Sequence, residues 1–357
     1  MKIKWMSMLA PVVASLLAII IGAILVGVLG FNPLSVYGSM LSGAFGGWYA
    51  IGSTLTMAIP LIFIGLGIAL AFKAGLFNIG ADGQYWIGAM VTVWLGYHLN
   101  GLPGWLHMIV MLLGAMVAGG LWGGIIPGLA KAYRGAHEVI TTMMMSYIGI
   151  LLARYMIEEG PMKAKGFTPQ SPMIDQSTWL KVLIPQTQFT TAVILALAAV
   201  LVVWFLLYRT TMGYQLRAVG FNQRAAKYAG MNVPLYSILA LGLSGVLAGL
   251  GGGVQMMATD HRLLDSFASG YGYTGIVVAL LARNNPFGVI LASIFFAALT
   301  TGGGNMQMFS GVPASLTNVL EGLIVFFVAA ERLIPMARDW YRTRRTGKHS
   351  VAISEKG

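Results

Sequence analysis

The sequence predicts an all-α membrane protein, a polytopic bundle of about ten transmembrane helices. Of its 357 residues, 57% are hydrophobic and only 9% are charged, whereas about a quarter of a soluble domain is charged. A spanning helix needs roughly twenty apolar residues, and apolar runs bounded by Gly, Pro, Asn and charged residues recur along the chain. We predict spans near residues 8–30, 51–72, 84–99, 106–130, 138–157, 189–208, 235–257, 271–282, 287–301 and 315–333.

The first run, 8–30, follows Lys2 and Lys4 and so shares one feature with a secretion signal. Its apolar stretch is longer than a usual signal core, and no small-x-small site followed by a soluble domain comes after it. We therefore interpret it as an uncleaved first helix. The eighth and ninth runs are short, so we expect them to tilt less or to extend into the glycine-rich stretches beside them.

The fourth and seventh runs each carry glycines at four-residue spacing. Lipid gives little hydrophobic drive for helix association, so small residues supply it by letting backbones approach closely. We expect these glycines to form packing faces; a sliding or gating interface is the alternative. The two sets are Gly120, Gly124 and Gly128, and Gly245, Gly249 and Gly253.

The basic residues predict that both termini are cytoplasmic. With ten spans and the amino terminus inside, most of the 22 lysines and arginines fall on the cytoplasmic side, as the positive-inside rule requires. We predict one transmembrane domain, 1–357, with a cytoplasmic loop at 209–234, an extracytoplasmic loop at 158–188 and a basic cytoplasmic tail at 334–357. Outside fall only Lys163, Lys165, Lys181 and Arg262, with Arg154 near the outer end of a span.

Several function classes are disfavoured. The net charge of +11 marks sidedness in the bilayer, so we expect no nucleic-acid partner. Cysteine is absent, which excludes disulfides and thiolate sites. The stretch HEVIT begins at His137 but lacks the second histidine of a zinc protease, and no G-x-x-x-x-G-K-[ST] loop occurs. We predict no catalytic residue, no metal site and no cofactor bound by this chain, and we expect that it is not an enzyme.

Polar residues inside apolar segments are the candidate pathway residues, since such groups usually face a bundle interior or a water-filled path. The stretch FNIGADGQYW contributes three, and the start of the fifth span contributes Glu138 and a small, polar face that follows it. Ordinary helix-end and backbone hydrogen bonding is the alternative for the second group. The candidates are Asn78, Asp82, Gln84, Glu138, Thr141, Thr142 and Met145, with Glu321 as a further buried acid.

The loop 209–234 is the most informative soluble segment. Asn222 is a plausible N-cap, Gly230 a plausible stop, and Pro234 prevents an early restart, so we predict a short helix from about Gln223 to Ala229. Such a short helix needs a surface to dock on. The residues leave two surfaces open: the anionic membrane leaflet, or a groove in a partner protein.

Four ordered motifs carry a family resemblance between about residues 50 and 333. The chain resembles the permease subunits of bacterial ABC importers, in the superfamily that handles ribose-type sugars, branched-chain amino acids and nucleosides. Within it, the chain is most similar to nucleoside-type permeases that work with lipoprotein-anchored binding proteins. The motifs are LAFKAGLFNIGADGQYWIGA, HEVITTMMMSYI, TTMGYQLRAVGFNQRAAKYAGMNVP followed by LSGVLAGLGGG, and YGYTGIVVALLARNNPFG.

The resemblance implies an assembly in the bacterial cell membrane. Two permease chains, identical or homologous, would enclose one path through the lipid bilayer. Two ATP-binding cassette subunits, holding ATP and magnesium, would drive it, and an extracytoplasmic substrate-binding lipoprotein would deliver a small-molecule solute. The coupling helix would dock on the ATP-binding subunit through Arg217, Ala218, Gly220, Asn222, Ala225, Ala226 and Gly230.

Under this resemblance, FNIGADGQYW lines or shapes the path, either by touching solute or as a structural break with internally paired groups. The family more often has Glu at Asp82, Asn at His137 and Ser146, and Asp at Thr274. We expect a nucleoside as the solute, with a simple sugar as the alternative. A proton-coupled transporter titrating Asp82, Glu138 or Glu321 is a rival from another class, and a membrane enzyme acting on lipid precursors ranks last.

Overall fold

The computed structural model describes residues 16–313 apart from 100, 266, 268 and 269, together with 315, 316, 318, 319, 322, 323 and 326. Regular structure in this part of the chain is helical, with two isolated β-bridges and no longer strand. The helices are α1 Leu16–Val28, α2 Pro33–Phe45, α3 Trp48–Lys73, α4 Ala81–His98, α5 Gly104–Gly123, α6 Leu129–Arg134, α7 Glu138–Glu158, α8 Ala192–Arg209, α9 Thr211–Phe221, α10 Gln223–Tyr228, α11 Val233–Gln255, α12 Tyr271–Leu281 and α13 Pro286–Ser310.

The all-α prediction is confirmed, and the helices match most of the predicted spans. Two π-helical turns lengthen the bundle: Gly124–Gly128 joins α5 to α6, and Met256–Asp260 extends α11. The count of ten and the cytoplasmic termini stay predictions. Most of the last predicted span, with Glu321, and the whole tail 334–357 lie outside the described residues. Among the described residues, six helices are long and apolar enough to cross a membrane: Trp48–Lys73, Gly104–Arg134, Glu138–Glu158, Ala192–Arg209, Val233–Asp260 and Pro286–Ser310.

Two helices, α2 and α9, were not predicted. Both are less uniformly apolar than a spanning helix, and both begin at a polar cap. The Leu34 N–H donates to Asn32 Oδ1 at 3.0 Å, and the Gly213 N–H donates to Thr210 Oγ1 at 3.1 Å. Such caps satisfy amide groups that a helix start leaves unpaired.

α13 is longer than predicted, because it runs through the glycines at 302–304 to Ser310. The predicted alternative for this run, an extension into the glycine-rich stretch beside it, is confirmed, and Gly302 lies directly against the carbonyl oxygen of Met40 with no space for a Cβ. It therefore serves helix packing. The compact unit formed by 1–43 and 302–357 has its own small core, which contains Val26, Val36, Met306, Val312 and Leu316.

The larger compact unit, Ala44–Thr301, is organised around α11, which packs on α3, α4 and α5. Gly245 and Gly249 of α11 meet Gly119 of α5 so closely that a Cβ on Gly245 would overlap the Gly119 carbonyl oxygen. Gly128, in the other predicted glycine set, would place a Cβ 3.1 Å from the Ile238 Cα. The predicted packing role of the glycines is confirmed. Gly88 of α4 approaches Gly249 in the same way, so α4, which carries Asp82 and Gln84, is held against α11.

The loop 158–188 is tied to the far end of α11 by backbone hydrogen bonds. The N–H groups of Ser171, Ile174 and Leu180 donate to the carbonyls of Leu263, His261 and Met257, at 3.0, 2.9 and 2.9 Å. The Trp179 ring stacks on His261 with centroids 3.8 Å apart. The end of α11 is therefore fixed to this loop.

Candidate functional site

Asn78 lies at the centre of the irregular stretch between α3 and α4. It is fully buried. Its Nδ2 donates to Gln84 Oε1 at 2.9 Å and to Ser244 Oγ at 2.8 Å, and its Oδ1 accepts from the Gly80 N–H at 2.9 Å. Both amide hydrogens and the carbonyl are thus used inside the chain. Asn78 therefore stabilises the irregular stretch and joins it to α11.

The first turn of α4 is completed by two hydroxyls of α7. Thr142 Oγ1 accepts from the Ile79 N–H at 3.2 Å, and Ser146 Oγ accepts from the Gly83 N–H at 2.8 Å. These amides belong to a helix start, where intrahelical partners are missing. A Cβ on Gly83 would overlap the Ser146 backbone, so glycine is required for this approach. Ser146 was not among our candidates, although it follows Thr142 by four residues on the same helix face.

Asp82 connects α4 to the start of α12. The carboxylate is buried, with 5% of the residue exposed, and Oδ1 accepts from the Gly272 N–H at 3.0 Å. Gly272 lies directly against the Asp82 backbone and Cβ. The partner sits 190 residues further along the chain, so sequence spacing gave no signal for it. A movement of α12 relative to α4 would have to break this bond.

The remaining candidates lie along α7. Glu138 Oε2 pairs with Lys131 Nζ at 2.7 Å, and Thr141 Oγ1 donates to the Glu138 carbonyl at 3.1 Å. Met145 is buried, and its carbonyl accepts from Trp122 Nε1 at 2.9 Å. The structure thus places Asn78, Asp82, Gln84, Thr142 and Met145 in the buried interior and leaves Glu138 and Thr141 more open at the Lys131 end. Their part in a solute path stays a prediction.

We expect Asn78→Ala to destabilise the fold by about 3 kcal/mol. Three buried groups, on Gly80, Gln84 and Ser244, would lose a partner, and an unpaired buried polar group costs about 1–3 kcal/mol. Thermal unfolding in detergent measures the change. A double-mutant cycle with Ser244→Ala should give a coupling energy of about 1 kcal/mol. Additive effects, as expected for the unrelated Ser177→Ala, would contradict this account of Asn78.

The predicted short helix of the 209–234 loop is confirmed as α10, Gln223–Tyr228. Asn222 Oδ1 accepts from the Ala225 N–H at 3.1 Å, and Gly230 has a φ of +79°, which favours glycine. Ala226 is the one buried residue of α10. The other predicted coupling residues are exposed or half-buried, so α10 presents most of its surface to the outside.

Two aromatic side chains on this surface were missed as candidates. Phe221 is 91% exposed and Tyr228 is 93% exposed, on either side of α10. The sequence signal that could have identified Phe221 is its position directly before the N-cap residue. Arg224 and Lys227 are exposed between the two rings. The surface formed by Phe221, Arg224, Lys227 and Tyr228 is called the α10 surface below.

The α10 surface is fixed to the membrane bundle through α9. Gly220 lies against the carbonyl oxygen of Lys73, at the end of α3, with no room for a Cβ. The Arg217 guanidinium lies 5.1 Å from the centroid of the Tyr208 ring, and its Nε donates to the Gly213 carbonyl at 3.4 Å. Leu216 packs with Ala74 and Leu241. A displacement of α10 would therefore be passed to α3 and α11.

In the part of the chain that the structure describes, no group of three or more His, Asp or Glu side chains is placed to hold a metal ion. The polar groups of residues 78–84, called the α4 entry below, pair with one another and with α7 and α12 as hydrogen-bond partners. This arrangement joins α4 to α7, α11 and α12 through side-chain hydrogen bonds.

The chain is similar to a known protein family and to several named proteins. Residues 50–329 match the family model described as branched-chain amino acid transport system / permease component. The chain is 37% identical to the guanosine ABC transporter permease protein NupP of Bacillus subtilis (strain 168), over 92% of this chain and 94% of that protein. It is 32% identical to the nucleoside ABC transporter permease protein NupB of Lactococcus lactis subsp. cremoris, over 100% and 99% of the two chains.

A third relative has a different named solute. The glucose ABC transporter permease protein TsgB13 of Haloferax volcanii is 32% identical over 99% of this chain and 95% of that protein. All three similarities extend over nearly the full length of both proteins that are compared. The family match covers α3 to α13, including the α4 entry and the α10 surface. The chain therefore belongs to the branched-chain amino acid transport system / permease component family, as a membrane-embedded transport subunit of an ABC transporter and not an enzyme.

Proposed function

We propose that this chain is a permease subunit of an ATP-driven importer in the bacterial plasma membrane, and that its solute is a nucleoside. The observation that carries the proposal is the 37% identity, over nearly all of both chains, to a permease named for guanosine. A second permease, named for nucleosides, supports the same solute class. The whole chain acts as one transmembrane domain.

The partners follow from the family. A separate ATP-binding cassette subunit holds ATP and magnesium, a second permease completes the path, and an extracytoplasmic lipoprotein delivers the nucleoside. ATP drives transport only if it binds one of two conformations better than the other. The α10 surface suits docking to the ATP-binding subunit, because it combines exposed rings with exposed cations and is connected through Gly220 to the end of α3.

The solute path involves the α4 entry. Residues 74–80 are irregular backbone within an apolar bundle, which is tolerated only where it is buried in protein or lines a cavity. Asn78 and Gln84 hold that backbone in shape by internal hydrogen bonds, so they act on the path through its geometry. Asp82 and Thr142 then set how α12 and α7 meet it.

A simple sugar is the second candidate solute, favoured by the 32% identity to the glucose permease of Haloferax volcanii. A nucleoside contains a pentose, so hydroxyl recognition is shared by both solute classes. The two solute classes differ in the base, which a nucleoside carries and a simple sugar lacks. Competition between nucleosides and free sugars therefore separates the two candidates.

The test is uptake by proteoliposomes that contain this chain with its partner permease, ATP-binding subunit and binding lipoprotein. We expect ATP-dependent accumulation of labelled guanosine that unlabelled nucleosides inhibit and that glucose and ribose at the same concentration do not. Uptake that needs a proton gradient and no ATP would instead support a secondary transporter. Accumulation of sugar alone would support the second candidate.

A further inference from the structure

A cluster of aromatic and polar side chains lies between α4, α12 and the end of α11. Tyr85 and Tyr271 meet edge to face with ring centroids 5.9 Å apart, and Tyr271 Oη donates to Met57 Sδ at 3.2 Å. Trp86 follows Tyr85 on α4. Asp260 lies in the π-turn that ends α11, where its Oδ2 accepts from Gln255 Nε2 at 2.9 Å. We call Tyr85, Trp86, Gln255, Asp260 and Tyr271 the Tyr85 cluster.

Two polar atoms of the Tyr85 cluster are buried without a partner. Tyr85 Oη and Trp86 Nε1 have no hydrogen-bond partner among the described residues, although the two residues are 0% and 1% exposed. An unpaired buried donor costs about 1–3 kcal/mol, and most buried polar groups are paired. Gln84, the residue before Tyr85, is by contrast paired with Asn78. A phenylalanine in place of Tyr85 would avoid the cost of the hydroxyl, so the hydroxyl needs a functional explanation.

Asp260 adds a hydrogen-bond acceptor to these two donors. Its carboxylate lies within electrostatic range of the Tyr85 and Tyr271 hydroxyls. A carboxylate has about four acceptor positions; Gln255 uses one of them, and the Thr259 hydroxyl lies beside the carboxylate as a second donor. Burial lowers the pKa of the neighbouring His261, which disfavours a cation beside Asp260. Asp260 is half-buried, which leaves it open to a ligand.

The combination selects a class of ligand. Aromatic rings bind flat π-systems, the Tyr85 and Trp86 donors need an acceptor, and the Asp260 carboxylate needs a donor. We propose that the Tyr85 cluster recognises the base of a nucleoside that carries both a ring N–H and a carbonyl oxygen, such as guanosine, inosine or uridine. This inference rests on the proposed function and names the part of the solute that the chain reads.

Binding there requires a change of conformation, since Tyr85 contacts Tyr271 and the Phe267 ring stacks on Tyr85 at 5.6 Å and meets Trp86 edge to face at 4.4 Å. A base must therefore displace Phe267 as well. Asp82, one turn before Tyr85, is bonded to Gly272, the residue after Tyr271. The same contact between α4 and α12 thus controls both the Asp82 bond and access to the Tyr85 cluster. A base enters when α12 moves away from α4, as one of the two states of an alternating transporter.

The experiment compares Tyr85→Phe and Asp260→Asn with the wild type in the full reconstituted complex, with guanosine and adenosine at saturating concentration. Adenine has no ring N–H on its base-pairing edge and no carbonyl. Tyr85→Phe should keep or raise the melting temperature, because it removes an unpaired hydroxyl, and should lower guanosine uptake by roughly 3- to 10-fold. Asp260→Asn should lower the guanosine-to-adenosine uptake ratio by about 10-fold. Tyr155→Phe and Asp175→Asn, at exposed positions, are matched controls.

The outcomes separate this inference from the proposed function. If the wild type transports guanosine and both variants keep its rate and base preference, the base-recognition role is wrong and the proposed function stands. If the wild-type complex transports no nucleoside, the base-recognition role and the proposed function are both wrong. If Asp260→Asn does not fold, Tyr85→Phe still decides, because the loss of one unpaired hydroxyl affects uptake only if that hydroxyl meets solute.

Discussion

The Gly245→Val protein is expected to lose the folded helix bundle. The glycine lies where α11 crosses α5, and a Cβ there would overlap the carbonyl oxygen of Gly119. The obstacle is backbone, which cannot rotate away as a side chain can. We expect a loss of at least about 3 kcal/mol, the upper end of the cost of overpacking. Little protein should elute as a single species from size exclusion in detergent.

The matched control is Gly304→Val in α13, also a helical glycine. A Cβ at that position has no atom within 4 Å, so the valine meets open space. This variant should keep the wild-type free energy of unfolding within about 0.5 kcal/mol. Gly245→Ala should fall between the two. If Gly245→Val melts like Gly304→Val, the α5–α11 contact is not the close approach that the structure describes.

The contact between α11 and α5 at Gly245 shows which parts of the fold can be predicted from local sequence patterns. Four-residue spacing identified Gly245 and Gly249, because a helix brings such positions to one face. It did not identify Gly119, which contributes the facing backbone. It also missed α2 and α9, because hydropathy detects spanning length and neither helix has it. The Asn222 cap and the Gly230 stop predicted α10 to within a residue, since both act within one turn.

The candidate site shows the same division between local features, which the sequence predicts, and distant partners, which it does not predict. Asn78, Asp82 and Gln84 were found because polar residues are rare in apolar runs, which is a local property. Their partners were not found. Ser244 lies 166 residues from Asn78, and Gly272 lies 190 residues from Asp82. Whether a buried amide meets solute or protein depends on such distant partners, and a single sequence does not specify them. That the Tyr85 hydroxyl has no hydrogen-bond partner among the described residues is likewise a property of the folded chain and not of the sequence around it.

The double variant Phe221→Ala, Tyr228→Ala is expected to separate the permease from its ATP-binding partner. Both rings are more than 90% exposed, so their removal costs the isolated chain little stability. Exposed aromatic residues that become buried at an interface often contribute about 2 kcal/mol or more each. We therefore expect copurification of the ATP-binding subunit to fall at least about tenfold. Solute-stimulated ATP hydrolysis should fall with it.

Phe167→Ala provides the control, because Phe167 is an equally exposed ring in the loop 158–188, which we predict lies on the opposite side of the membrane. It should leave copurification unchanged. Gly220→Val tests the next step, since its side chain would push α9 away from Lys73 while the α10 surface stays intact. That variant should still bind the ATP-binding subunit but lose solute-stimulated hydrolysis. Binding lost equally in the Phe167 variant would mean that exposed rings in general hold the complex together, and that α10 has no special part in coupling.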